Sequence, residues 1–312
     1  MLKLVKKVLF SFLFLLLFIS CSRGGDYTKK IILQTPWGSA PGNFGLLKEA
    51  EGVAPEALAI DADENIWVID LVNSRLQAFG KEGGFIRTFP ISIRAMDIAV
   101  GPEGKLYLMA PYDDRLTVMD TTGKLIKSFA IPSDINLIEG IRWEANRLVM
   151  TTAEQKSYTL LKKSQVGRLS QSPFLMKPSV QPLEGLAGRF GDRRFQTVWK
   201  SKNAGEIWIL NADGQTKKEI RVVSNAQLGS VRYLNTDAEK NFYILEEILP
   251  APQQSEFKVL RYSPDGKVEA AVKVPNHNIA DVHRPFTIDS KGNIYFMRIL
   301  PDGFSIIKWE WQ

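Results

Sequence analysis

From residue 55 onward the chain alternates short apolar runs with polar clusters that favour turns. The clearest stretch, residues 55–90, is PEALAIDADENIWVIDLVNSRLQAFGKEGGFIRTFP. It divides into β-forming runs at 57–60, 66–69, 75–79 and 85–89, separated by Asp, Glu, Asn and Gly. Such runs, bounded by turn residues, predict strands joined by hairpins. The phrase returns at 95–132 as AMDIAVGPEGKLYLMAPYDDRLTVMDTTGKLIKSFAIP, and at 284–300 as RPFTIDSKGNIYFMRIL.

Second-strand anchors recur at Ile66, Leu106, Leu148, Gln196, Phe242 and Ile294, spaced 40 to 52 residues apart. An aromatic follows four of them: Trp67, Tyr107, Tyr243 and Tyr295. The turn between the third and fourth strands recurs as Glu82-Gly83, Thr122-Gly123, Asp213-Gly214 and Asp265-Gly266. Glycine there supplies the positive φ that tight hairpins need. Four strands per unit at this period predict a β-propeller, and six anchors predict six blades. The sixth unit has only three strands before the sequence stops at Gln312. The apolar segment KIILQ at 30–34 is expected to supply the missing outer strand, latch the ring and cover an open sheet edge.

At 45% hydrophobic and 24% charged, 312 residues are enough for a sizeable core. Residues 1–20 are set apart: Lys3, Lys6 and Lys7 precede an apolar stretch at 8–19, too short to span a bilayer as a helix. This is the layout of a signal peptide. Cys21 follows and is the chain's single cysteine, so no internal disulfide can form. The formal charge of +6, less those three lysines, is +3. The remaining basic residues are scattered among acids, so nucleic-acid binding is not implied.

Phe18-Ile19-Ser20-Cys21 resembles the lipobox of bacterial lipoproteins. The resemblance implies a lipid on Cys21, a tether at 21–29, a propeller at 30–312 and residence in the cell envelope, outside the cytoplasm. The other reading is a plain signal peptide with an incidental cysteine. Ser22, by resemblance to enteric-type sorting, points to the outer membrane, facing the periplasm. The phrase PEALAID…NIWVIDLVNSRLQAF, with PGNFG at 41–45, resembles the NHL repeat and its six-bladed relatives, the TolB-like propellers among them. That resemblance specifies architecture and leaves the activity open.

In propellers the first strand of each blade lines the channel. Its leading positions here hold Glu56, Met96, Glu139, Glu184, Arg232 and Arg284, followed by Ala57, Asp97, Gly140, Gly185, Tyr233 and Pro285. These carboxylates and arginines are expected near one mouth. They fit a Ca²⁺ site, a grip on a polar ligand, or ion pairs that simply close the ring. The two histidines, His277 and His283, share one loop. The peptidyl-amidating lyases and streptogramin-lyase-like propellers that this repeat resembles rely on histidines that one loop does not supply. The Glu, Asn and Asp constellation of gluconolactonase-type propellers has no contiguous counterpart, although Glu56 with Asn235 or Asp281 is the nearest fit. No nucleophile elbow, P-loop or dinucleotide fingerprint is present.

Asp70 with Arg75, and Asp113 and Asp114 with Arg115, are expected to tie hairpin ends. Trp309 and Trp311 alternate around Glu310 and are expected to pack in the core. Residues 246–257 and 165–182 are expected to be long loops, suited to partner contact. The expectation is a lipid-anchored binding or scaffold module for an envelope protein, peptide or glycan. The alternative is a divalent-metal-dependent hydrolase or lyase at the channel mouth.

Overall fold

The computed structural model describes residues 25–48, 52–131, 133–167, 169, 182–252, 254–275, 279–280 and 282–312. The expected signal segment at 1–20, Cys21, His277 and Asp281 lie outside these, as does most of the expected loop at 165–182. The described strands form six four-stranded antiparallel sheets, the blades of a propeller.

Blade one holds β2 (Leu58–Ile60), β3 (Ile66–Asp70), β4 (Arg75–Phe79) and β5 (Phe85–Pro90). Blade two holds β6 (Asp97–Val100), β7 (Leu106–Ala110), β8 (Arg115–Met119) and β9 (Leu125–Ala130). Blade three holds β10 (Ile138–Glu144), β11 (Arg147–Thr152), β12 (Lys156–Lys162) and β13 (Leu183–Glu184). Blade four holds β14 (Leu186–Ala187), β15 (Arg193–Ser201), β16 (Ala204–Asn211) and β17 (Thr216–Val223). Blade five holds β18 (Gln227–Thr236), β19 (Phe242–Ala251), β20 (Gln254–Tyr262) and β21 (Val268–Val274). Blade six holds β22 (Phe286–Ile288), β23 (Ile294–Leu300) and β24 (Gly303–Trp311). Every sequence anchor falls on the second strand of its blade.

The fourth strand of blade six comes from the other end of the chain. β1 (Tyr27–Thr35) runs antiparallel to β24, from Tyr27 opposite Trp311 to Thr35 opposite Phe304. The ring is therefore closed by the segment that contains KIILQ. Next along the chain, Phe44 is fully buried between Phe79 of blade one and Phe304 of blade six. The Asp70–Arg75 pair clamps the same segment. Arg75 donates to the carbonyls of Ser39, Ala40 and Asn43, while Asp70 accepts from Arg75 at 2.8 Å and from the Gly45 N–H at 3.0 Å. The pair ties its hairpin and docks the N-terminal segment as well. Blade two differs: Arg115 is exposed, and Asp113 accepts from the Arg94 N–H.

The repeated aromatics are core residues with a polar anchor. The Trp67 indole donates to Asp61, the Tyr243 hydroxyl to Asp237 and the Tyr295 hydroxyl to Asp289. Each Asp also accepts backbone N–H groups of its own turn. Trp309 is buried as expected, whereas Trp311 is half-buried beneath the Arg261 guanidinium, 3.8 Å from its ring centre.

Hydrophobic clusters fill the gaps between blades one and two, two and three, four and five, five and six, and six and one. The seam between blades three and four is crossed by polar contacts. Gln155 grips Thr197 through backbone and hydroxyl, and buried Glu144 faces buried Arg194 at 3.7 Å. The expected loop at 246–257 is instead the paired tip of the β19–β20 hairpin, with Glu246 opposite Lys258 and Ala251 opposite Gln254. The turn narrows to the tip beside Pro252.

Candidate functional site

The inner strands run side by side around the channel, and their first residues lie at one mouth. A cavity of about 400 Å³ opens there, offset toward blades three to six. Blade four's inner strand is only two residues long, and Thr197, from the blade's second strand, reaches the cavity wall. Four of the six expected residues line this cavity: Asp97, Glu139, Arg232 and Arg284. His283 lines it as well.

Glu56 is half-buried just before β2, and its carbonyl accepts from the Arg284 N–H at 2.9 Å. It adjoins the site through its backbone. Glu184 is a correction. It lies on β13, the outer strand of blade three, with its side chain exposed and opposite Lys156. One residue, Gly185, turns the chain from that outer strand into blade four's inner strand, at φ +71°. A Cβ at Gly185 would stand 2.9 Å from the Phe195 carbonyl oxygen, which is why glycine occupies the corner.

Asp97 opens β6 and is fully buried. One of its oxygens accepts from the Ile141 N–H at 2.8 Å. The other accepts from the Ile98 N–H at 2.9 Å and pairs with Arg284 at 2.7 Å. Arg284 also donates to the carbonyls of Ile141 and Ile98. One carboxylate and one guanidinium thus bind blades two, three and six together. Burial lowers the Arg284 pKa, Asp97 opposes that, and nearby Arg142 adds to it. Arg189 acts similarly at the far end of the inner strands, donating to the carbonyls of Thr236 and Ile288.

The residue that sequence reasoning missed is Arg142. It lies on β10, further along than Glu139, and lines the same cavity. Its guanidinium sits 5.8 Å from the centre of the Tyr233 ring, and its buried Nη1 has no hydrogen-bond partner. The Nε of Arg284 is likewise buried and unpartnered. The Tyr233 phenol is held neutral by burial, which raises its pKa. A census of only the leading two positions per inner strand stops short of Arg142. The pattern Glu139-Gly140-Ile141-Arg142 carries the missing signal: glycine opens space at the wall, and a charged residue follows two places on.

The carboxylates do not gather. Asp97 has both oxygens occupied by donors, and Glu184 is outside the channel. Among the described residues no group of three or more His, Cys, Asp or Glu side chains is placed to hold a metal ion. Glu139, exposed at the mouth, shares the cavity with three arginines, which oppose a bound cation. Among the described residues this mouth gathers no carboxylate set for Ca²⁺.

No protein-family model matches the chain, and none of the curated proteins matches it. Solved structures do. A calcium-binding protein, regucalcin, from Agrobacterium tumefaciens is 14% identical, with 91% of this chain and 95% of that one covered, at a TM-score of 0.51. A streptogramin B lyase is 13% identical over 92% of this chain and 98% of its own, at a TM-score of 0.46. A member of the DUF4221 family from Bacteroides vulgatus is 9% identical over 92% and 98%, at a TM-score of 0.49. At these identities the likeness is one of fold: the chain is a six-bladed β-propeller.

Proposed function

We propose that this chain is a lipid-anchored, extracytoplasmic binding module that takes an envelope protein, peptide or glycan at its channel mouth. The observation that carries the proposal is the state of the channel charges. Asp97 and Arg284 are committed to holding blades together, while Arg142 and Arg232 face the cavity without an ion pair to any described carboxylate. That is a recognition surface on a rigid scaffold. The lipobox-like run at 18–21 supports the anchor, and the repeat phrase supports grouping the ring with NHL-repeat and TolB-like propellers.

Two measurements test this. Cells fed a labelled fatty acid should label the wild-type chain and leave Cys21→Ser unlabelled, and membrane separation should place the wild type in the outer membrane. Crosslinking in intact envelopes should then yield a defined adduct that Arg232→Glu abolishes. An unlabelled wild type removes the anchor, and identical adducts in both chains remove the channel mouth as the contact.

The rival reading, a metal-dependent hydrolase or lyase, rests on Glu139 and His283 lining one cavity. Two donors fall short of the about three that a catalytic zinc site uses. Stoichiometric metal in the purified protein, lost on Glu139→Ala, would restore that reading.

A further inference from the structure

The cavity's unpaired charges specify the chemistry of what it takes. Three guanidiniums line it, from Arg142, Arg232 and Arg284, against the carboxylates of Asp97 and Glu139. Asp97 is neutralised by Arg284 and saturated by two backbone N–H groups. Arg142 therefore lies near Arg284 with no anion of its own. Arg284 is balanced by Asp97, so the Arg142 guanidinium beside the Tyr233 ring is the positive charge that a ligand anion would balance. Buried guanidinium N–H groups without acceptors are rare in folded proteins, because each forfeits the water it gave up. The Nη1 of Arg142 and the Nε of Arg284 are two such groups at one cavity. Arg232, by contrast, is exposed at the mouth, where an incoming anion meets it first.

We propose that this cavity binds the carboxylate of a small organic or peptide ligand, with Arg142 and Arg232 as the binding residues. The inference rests on the channel mouth being the binding site. A planar guanidinium fork matches a carboxylate with two parallel hydrogen bonds. Glu139 at the rim selects among anions. It disfavours a doubly charged phosphate and favours a single carboxylate that carries a hydrogen-bond donor, an amide or a hydroxyl, pointing at Glu139. The size agrees: about 400 Å³ lies at the low end of small-molecule clefts. The walls are pre-set, since Gln155 is locked onto Thr197 by three hydrogen bonds and Asp97 onto its two neighbours.

The test is calorimetric titration of the full-length chain in detergent. The probes are N-acetylalanine, glucuronate, inorganic phosphate and the uncharged amide of N-acetylalanine. At least one of the two carboxylates should bind about tenfold or more tightly than the amide and than phosphate. N-acetylalanine against glucuronate separates a peptide source from a sugar source. Arg232→Gln, at an exposed position, should keep its melting temperature and lose about tenfold in affinity, and Arg142→Gln should lose at least as much. Equal binding of acid and amide overturns the proposal and needs no variant to show it. So does phosphate binding more tightly than both acids, undiminished binding in the Arg142→Gln, Arg232→Gln double variant, or no binding by either acid. If neither acid binds while Arg232→Glu still abolishes the envelope adduct, the carboxylate assignment falls and the binding-module reading stands.

Discussion

Asp97 and Arg284 meet at 2.7 Å across the mouth of the channel, joining blade two to blade six over the top of blade one. The pair lies among inner strands and is fed by the backbone of two further residues, so it acts as a brace between blades. Removing one partner leaves the other charge without compensation in a poorly solvated place. Asp97→Ala should destabilise the ring by about 3 kcal/mol. The double variant Asp97→Leu, Arg284→Met should recover part of that loss. Denaturant midpoints of the three proteins decide the point, and a double variant no better than Asp97→Ala would assign the effect to the lost backbone contacts.

The latch is sensitive to acid through Glu310. Hydrogen bonds from Lys30 on β1 and Lys308 on β24 lower its pKa to about 2, from an ordinary 4.5. The carboxylate is thus more acidic in the folded chain than in the unfolded one. Its contribution is complete above pH 4.5 and disappears as the pH falls toward about 2. Lys30 is half exposed, so water and salt screen the interaction and the expected effect is small. Glu310→Gln should therefore unfold more easily than wild type at neutral pH, and the two stability curves should converge between pH 4.5 and 2. Parallel curves across that range would remove Glu310 from the latch.

Gly83 and Gly214 occupy the same turn in blades one and four, at φ +82° and +86°. They differ in what surrounds them. A Cβ at Gly83 would fall 1.7 Å from the Ile32 carbonyl oxygen on β1, while at Gly214 the nearest atom is the Glu184 Cβ at 3.7 Å. Gly214→Ala should cost about 1 kcal/mol, the ordinary penalty of a left-handed alanine. Gly83→Ala should cost clearly more, because the outer strand of blade six must move. Thermal unfolding of the two variants compares them directly, and equal losses would mean that β1 yields without penalty.

The turn aspartates make a prediction about hydroxyl groups. In blade two Gly101 stands where blades one, five and six carry Asp61, Asp237 and Asp289, and the buried Tyr107 hydroxyl has no partner. An aspartate could not be accommodated there, since a Cβ at Gly101 would lie 2.3 Å from the Trp143 indole nitrogen. Tyr107→Phe should therefore be neutral or stabilising. Tyr295→Phe, which loses a 3.1 Å bond to Asp289, should cost about 1 kcal/mol. Chemical denaturation of both tests the contrast, and equal losses would contradict it.

Much of this was legible from local pattern. Strand runs, glycine turns and the repeat spacing report interactions among residues close in sequence, so β3, β7, β19 and β23 fall where Ile66, Leu106, Phe242 and Ile294 place them. The same holds for KIILQ: an apolar segment before the first repeat, and a last repeat short by one strand, leave one economical pairing. The boundary of blades three and four was less legible. Leu183-Glu184 resembles an inner-strand opening by composition, and only its pairing with Lys156 and Ser157 identifies it as an outer strand.

What the sequence by itself determined is therefore the ring: its blade count, its turns and the strand that closes it, all encoded in short-range periodicity. What the tertiary structure decided is the site. Inner strands alternate faces residue by residue, so a single register shift exchanges the channel-facing set for the core-facing one. β10 has such a shift between Ile138 and Gly140, and β18 has two. Those irregularities help determine that Arg142 and Arg232 share a cavity with Glu139. They also leave Asp97, which looked like a ligand group along the chain, enclosed by Arg284, the Ile141 amide of blade three and the amide of its own neighbour Ile98.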